Sequence, residues 1–126
     1  TNIGQSTSGN ITGVYDMSAG AWEYVMGNYN KTAGKSGLNV SGVPVEHIDI
    51  YSGTSVAASH LGDATGETAG WYSDFADFAN SSYPWFTRGG SYANNVDNAG
   101  VFFFSSYTGV GGDFGAFRVV LSTTGA

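Results

Sequence analysis

The chain has 126 residues, enough for one domain with a buried core, and four cations against ten carboxylates give it a net charge of -6. Cysteine is absent, which excludes a disulfide scaffold, a cysteine metal site and a thiol nucleophile. Lys31, Lys35, Arg88 and Arg118 cannot build the basic patch that duplex nucleic acid needs, so no nucleic-acid partner is expected, and no apolar run approaches the roughly 18 residues of a membrane span.

Residues 1–12 are polar and rich in Gly, Ser and Thr, and read as a loose leader; residues 13–126 read as a single domain. The start at Thr1 reads as that of a processed product or a fragment. Residues 13–29 are dense in aromatics, and an extended segment there puts Trp22 and Tyr24 on one face with Glu23 between them. Lys31, Gly34, Lys35, Gly37, Gly42 and Pro44 break any period over 30–46, which predicts loop. His47 to Tyr51 alternates as a short strand does, and 52–68 is again small and polar. Trp71, Phe75 and Phe78 recur at i, i+4 and i+7, predicting a short amphipathic helix over 69–79 with Thr68 as its cap, although Gly70 lies inside it. Three β-rich runs follow: Trp85 to Tyr92, Val101 to Ser105 and Phe117 to Leu121. They are separated by Asn-, Asp- and Gly-rich turn signals. The expectation is an α+β domain with a small antiparallel sheet, long loops and little helix.

Two segments carry a resemblance. Gly13-Val-Tyr-Asp-Met-Ser-Ala-Gly-Ala-Trp-Glu-Tyr-Val25 resembles the G-L-Y-D-M-x-G-N-V-W-E-W-V segment of the formylglycine-generating-enzyme (sulfatase-modifying-factor) family. Arg88-Gly-Gly-Ser-Tyr92, followed by Phe117-Arg118-Val119, resembles that family's R-G-G-S-W and G-F-R-V pair in order and spacing. The resemblance implies a C-type lectin-like fold and, because full members are larger, the C-terminal part of a longer protein. It covers about 13–121, loosely over 30–68. Calcium is implied near the W-E segment, at Gly20, Ala21 and Glu23, although Gly20 stands where the family has Asn. No cofactor is required. Enzymes of the family use a cysteine pair with copper, and a chain without cysteine lacks that chemistry. Residual metal-dependent oxidase activity is the weakest alternative: only His47 and His60 are present for iron, and two His plus a carboxylate is the formal minimum.

The residues themselves point to a frame and a face. Glu23 in so aromatic a setting needs a partner, and Arg88 and Arg118 lie inside strand-like runs. A buried bridge of Arg88 or Arg118 with Glu23 or Asp16 is the structural reading, and an anion-binding pair the functional one. Trp22, Glu23, Trp71, Trp85, Arg88 and Arg118 are thus expected to hold the frame, with Gly89 and Gly90 allowing close approach of another segment. The acidic pairs Asp74/Asp77 and Asp63/Glu67 read as solvated surface rather than as a glycosidase pair, and no nucleophile-elbow motif is present. Sequons begin at Asn10, Asn30, Asn39 and Asn80.

Residues 93–116 contain no Lys, Arg or Glu and are built from Asn, Asp, Ser, Tyr, Phe, Gly, Val, Ala and Thr. That alphabet is similar to what adenine-directed change of Asn codons yields in the variable proteins of diversity-generating retroelements, a branch of the same family. Phe102, Phe103 and Phe104 cannot all face one way in a strand, so Phe103 or the Phe102/Phe104 pair points away from the core. The expectation is a non-catalytic, extracellular or cell-surface recognition domain. It would bind a protein or glycan through Asn94, Asn95, Asp97, Phe102, Phe104, Ser106, Tyr107, Asp113 and Phe114. The alternative is a filament subunit, because Ala69 to Asp74 and Pro84 to Gly90 also resemble domains of bacterial pilin-like surface proteins.

Overall fold

The aromatic run that opens the domain forms the longest strand, β1 (Trp22–Tyr29). The computed structural model describes residues 20–93 and 98–117. The leader, Asp16, Asn94, Asn95, Asp97, Arg118 and the expected strand beyond Phe117 lie outside those residues.

Among the described residues, five strands make one mixed sheet: β1, β2 (Asp49–Tyr51), β3 (Trp85–Arg88), β4 (Phe104–Tyr107) and β5 (Gly115–Ala116). The path runs β2-β1-β3-β4, with β5 also on β1. β1 pairs antiparallel with β3 along one edge. On the other edge it pairs in parallel with β2 at Gly27 to Tyr29 and with β5 at Trp22 and Glu23. The expected antiparallel sheet is therefore corrected to a mixed one. A parallel neighbour needs a long crossover, and residues 30–48 supply it as loop with two 3-10 turns, Val40–Gly42 and Val45–His47. Val40 and Ile48 from this crossover pack on Trp85.

Alternation along the strands divides the rings between the faces. On one face, Phe86 and Phe104 join Tyr51, Phe78 and Ala79. Phe86 meets Tyr51 at 5.7 Å, Phe78 at 5.0 Å and Phe104 at 5.9 Å between centroids, all edge-to-face. On the other face, Trp85 lies with Val40 and Ile48, and its Nε1–H donates to the Ala33 carbonyl at 2.9 Å. The sheet is covered on both sides.

The predicted helix over 69–79 does not form. The one α-helix among the described residues, α1 (Ala64–Glu67), lies upstream, and Thr68 ends it: its amide and hydroxyl both donate to the Ala64 carbonyl. Gly70 is left-handed (φ 75°), only a 3-10 turn follows at Trp71–Ser73, and the chain is then extended. Here pairing wins over periodicity. The Phe104 amide donates to Phe75 and the Asp77 amide to Phe104, so residues 75–77 cover the outer edge of β4. Strand boundaries shift too. β3 stops at Arg88 because Gly89 and Gly90 turn left-handed (φ 86° and 65°), and a Cβ on Gly90 would meet the Ala99 backbone at 2.5 Å. β4 begins at Phe104 rather than Val101. No helix among the described residues is long and apolar enough to cross a membrane.

Candidate functional site

Two surfaces and one polar cluster emerge from this frame. The first surface is built at the turn that replaces the predicted helix. Tyr72 and Ser73 both have positive φ (55° and 65°), a conformation that side-chain-bearing residues rarely adopt and that tertiary contacts must hold. The contact is Phe102. Tyr72 stacks flat on it at 5.6 Å and 10°, while Trp71 meets it edge-on at 5.3 Å. Asp74 fixes the two segments, its Oδ2 accepting from the Phe102 amide at 3.0 Å. A Cβ on Gly100 would sit 2.0 Å from the Asp74 carboxylate oxygens, so a larger residue there would displace Asp74. Tyr72 stays 86% exposed and Trp71 51% exposed, beside an open cleft of about 390 Å³ lined by Tyr72, Asp74, Gly100, Val101 and Phe102.

The second surface surrounds the start of β1. Trp22 contacts Tyr107 at 6.0 Å and Phe114 at 6.3 Å, and Phe114 in turn contacts the exposed Tyr92 at 5.6 Å. Tyr24 lies 6.1 Å from Tyr107 and donates its hydroxyl to the Val110 carbonyl at 2.7 Å. Burial, then the neighbouring Tyr107, pushes the Tyr24 hydroxyl up to about 12.

The expected contact residues therefore part company. Phe102 serves the first surface; Tyr107, Asp113 and Phe114 lie at or near the second, with Asp113 exposed. Phe104 (0% exposed) and Ser106 (7%) are corrected to core positions: Phe104 packs on Phe86, and the Ser106 hydroxyl donates to Asp77. Phe103 is buried as well and stacks against Phe75. A turn at 100–103 lets two adjacent rings go inward where a strand would alternate them. Trp71, expected in the frame, is on the surface instead. Glu23 faces Arg88 across β1 and β3. Burial lowers the Arg88 guanidinium pKa from its usual value, with the Glu23 carboxylate opposing the shift.

The polar cluster joins β2 to the loop ahead of α1. His60 Nδ1 lies 3.1 Å from Asp49 Oδ1 and 3.9 Å from Asp63 Oδ2. The Tyr51 hydroxyl donates to Asp63 Oδ2 at 2.9 Å and lies 3.3 Å from Asp49 Oδ2. Burial, the hydrogen bond to Asp63 and the two carboxylates all push the Tyr51 pKa upward. A cleft of about 230 Å³ opens beside the cluster, lined by Asp49, Tyr51, Asp63 and Thr65 and, further along, by Arg88. These ligand-type groups are distinct from Gly20, Ala21 and Glu23. The Gly20 carbonyl accepts from the Tyr92 amide, and Glu23 sits opposite Arg88.

The sequence reading missed Tyr72 and this cluster. For the cluster a signal existed: Asp49 and Tyr51, two apart in a strand, share a face, and His60 and Asp63 are three apart before a helix. For Tyr72 the local sequence gives none, because its ring packs on Phe102, thirty residues away. No family model, curated protein or solved structure matches the chain.

Proposed function

We propose that the chain is a non-catalytic recognition domain of an extracellular or cell-surface protein, and that it binds a protein or glycan ligand on the Trp71, Tyr72 and Phe102 surface. The observation that carries this reading is the exposed Tyr72 ring, held in a left-handed backbone against Phe102. Strain of this kind costs on the order of 1–3 kcal/mol and clusters at ligand-binding positions. A flat aromatic face with a hydroxyl at its tip, a second half-exposed ring and an adjoining cleft suit a ligand with one apolar face and polar edges. The C-type lectin-like fold and the kinship with the formylglycine-generating-enzyme family belong to the same proposal. They are supported by Trp22 to Val25 of the first motif and Arg88 of the second standing on neighbouring strands, Glu23 opposite Arg88, in a small mixed sheet with little helix among the described residues.

Screening the chain against arrayed glycans and cell-surface proteins tests the reading. Tyr72→Ala and Trp71→Ala should each weaken the selected ligand tenfold or more, with the circular dichroism unchanged. Unaltered binding in both variants overturns this choice of surface. A second reading, self-association into filaments, is favoured by the exposed Tyr92 and Phe114 rings beside β5. Concentration-dependent light scattering abolished by Tyr92→Ser would support it, and a single monomeric species would remove it.

A further inference from the structure

We propose that Asp49, His60 and Asp63 form a binding site for a divalent transition-metal ion, with zinc the best match. One imidazole and two carboxylates are a mixed nitrogen and oxygen donor set, which suits zinc better than the all-oxygen sites that calcium and magnesium take. Their ligand atoms all lie within 4.8 Å of one another. In a tetrahedral site with bonds of about 2.0–2.1 Å, ligand atoms stand roughly 3.3 Å apart. The separations of 3.1 Å and 3.9 Å from His60 Nδ1 to the two carboxylates bracket that value.

The donors are also pre-oriented. His60 stacks on Tyr51 at 5.0 Å and 18°, so its ring plane is set by a buried neighbour. Asp63 is held by the His60 amide at 2.7 Å and by the Tyr51 hydroxyl. Tyr51, anchored in the core, thus steadies His60 and Asp63 in the manner of the outer hydrogen-bond shell around metal ligands. Both carboxylates share a single imidazole as their ion-pair partner among the described residues, and a dication balances them where one imidazolium does not. Asp49 is an acceptor only, so His60 Nδ1–H donates to it in the geometry described. A bound ion takes the Nδ1 lone pair, and the displaced proton moves to Nε2 of a neutral ring or, from an imidazolium, passes to solvent. The cleft beside Asp49 and Asp63 leaves a fourth position open to water or to a ligand group.

The chain itself makes a clean test, because it has no cysteine and two histidines, and a preparation without a polyhistidine tag adds none. Chelator-treated protein is titrated with zinc sulfate by calorimetry, and its thermal unfolding is followed with and without excess zinc. One ion per chain is expected, with Tm raised by about 5 °C or more. His60→Ala, at an exposed side chain, should weaken binding tenfold or more without unfolding the domain, and Asp49→Asn likewise. Tyr51→Phe keeps the core ring and should weaken binding roughly tenfold through the lost orienting bond. His47→Ala should change nothing. The proposal is overturned by absence of zinc binding, by equal affinity in parent and His60→Ala, or by stabilisation with calcium but not with zinc.

Discussion

Tyr24 ties the second aromatic surface to the stability of the sheet. Its ring stands over β3 and β4, and its hydroxyl is spent on the Val110 carbonyl. Burial and Tyr107 hold its pKa at about 12 in the fold, against 10.0 for the free side chain. The folded chain thus keeps a proton that the unfolded chain has released between those values. By linkage this contribution is complete below pH 10.0 and is lost as the pH climbs toward 12. Thermal unfolding across the alkaline range should show a Tm that begins to fall near pH 10.0. In Tyr24→Phe the fall should be shallower but still present, because Tyr51 titrates upward for its own reasons. At neutral pH the same variant loses one hydrogen bond, about 1 kcal/mol. A parent chain whose Tm is flat through this range would contradict the assignment.

The end of β1 shows what governs the elements. Asn30 and Lys31 both have positive φ (48° and 59°), and the Thr32 amide returns to the Tyr29 carbonyl at 2.9 Å, the geometry of a type I′ turn. Buried Asn28 braces the turn from inside, its Nδ2 donating to the Thr32 carbonyl at 2.8 Å. Asn suits the first central position, but Lys at the second bears the left-handed cost. Lys31→Gly should therefore raise stability by about 0.5–1 kcal/mol in urea titration, provided its exposed side chain makes no compensating contact; a loss would show that it does. The same competition between local preference and partner explains what the sequence disclosed. Trp85 to Arg88 was legible as a strand because its bulky residues alternate between two apolar faces. The spacing of Trp71, Phe75 and Phe78 was equally regular, yet it misled, since the β4 edge offers the backbone of 75–77 a better partner than a helix broken at Gly70 would. The parallel placement of β2 was invisible, because it depends on where the 30–48 crossover lands. For the Phe run, alternation left Phe103 or the Phe102/Phe104 pair to face outward, and the structure follows neither: Phe102 alone is half-buried at the surface, and burial of Phe104 and Ser106 accompanies a β4 that begins three residues later than expected.

At the scale of the molecule, β1 draws its partners from 49–51, 85–88 and 115–116, so no contiguous stretch of chain contains the pairing it needs. The two buried clusters also share scaffolding. Phe86 and Trp85 are adjacent residues of β3 facing opposite sides, so losing β3 dissolves both clusters together. Unfolding should accordingly be a single cooperative transition, with tryptophan fluorescence and far-ultraviolet circular dichroism giving the same midpoint. Refolding should be slow for a chain of this size, in the millisecond-to-second range, because distant segments must meet before any pairing is rewarded. Ile48→Ala provides the sharper check, because it leaves Trp85 in place as the reporter. It weakens the cluster of Val40 and Trp85 alone, but if the faces are coupled through β3 it lowers the midpoint of both probes equally. Divergent midpoints in that variant would mean that the crossover side melts apart from the Phe86 side, and that the sheet is not the common support of the two.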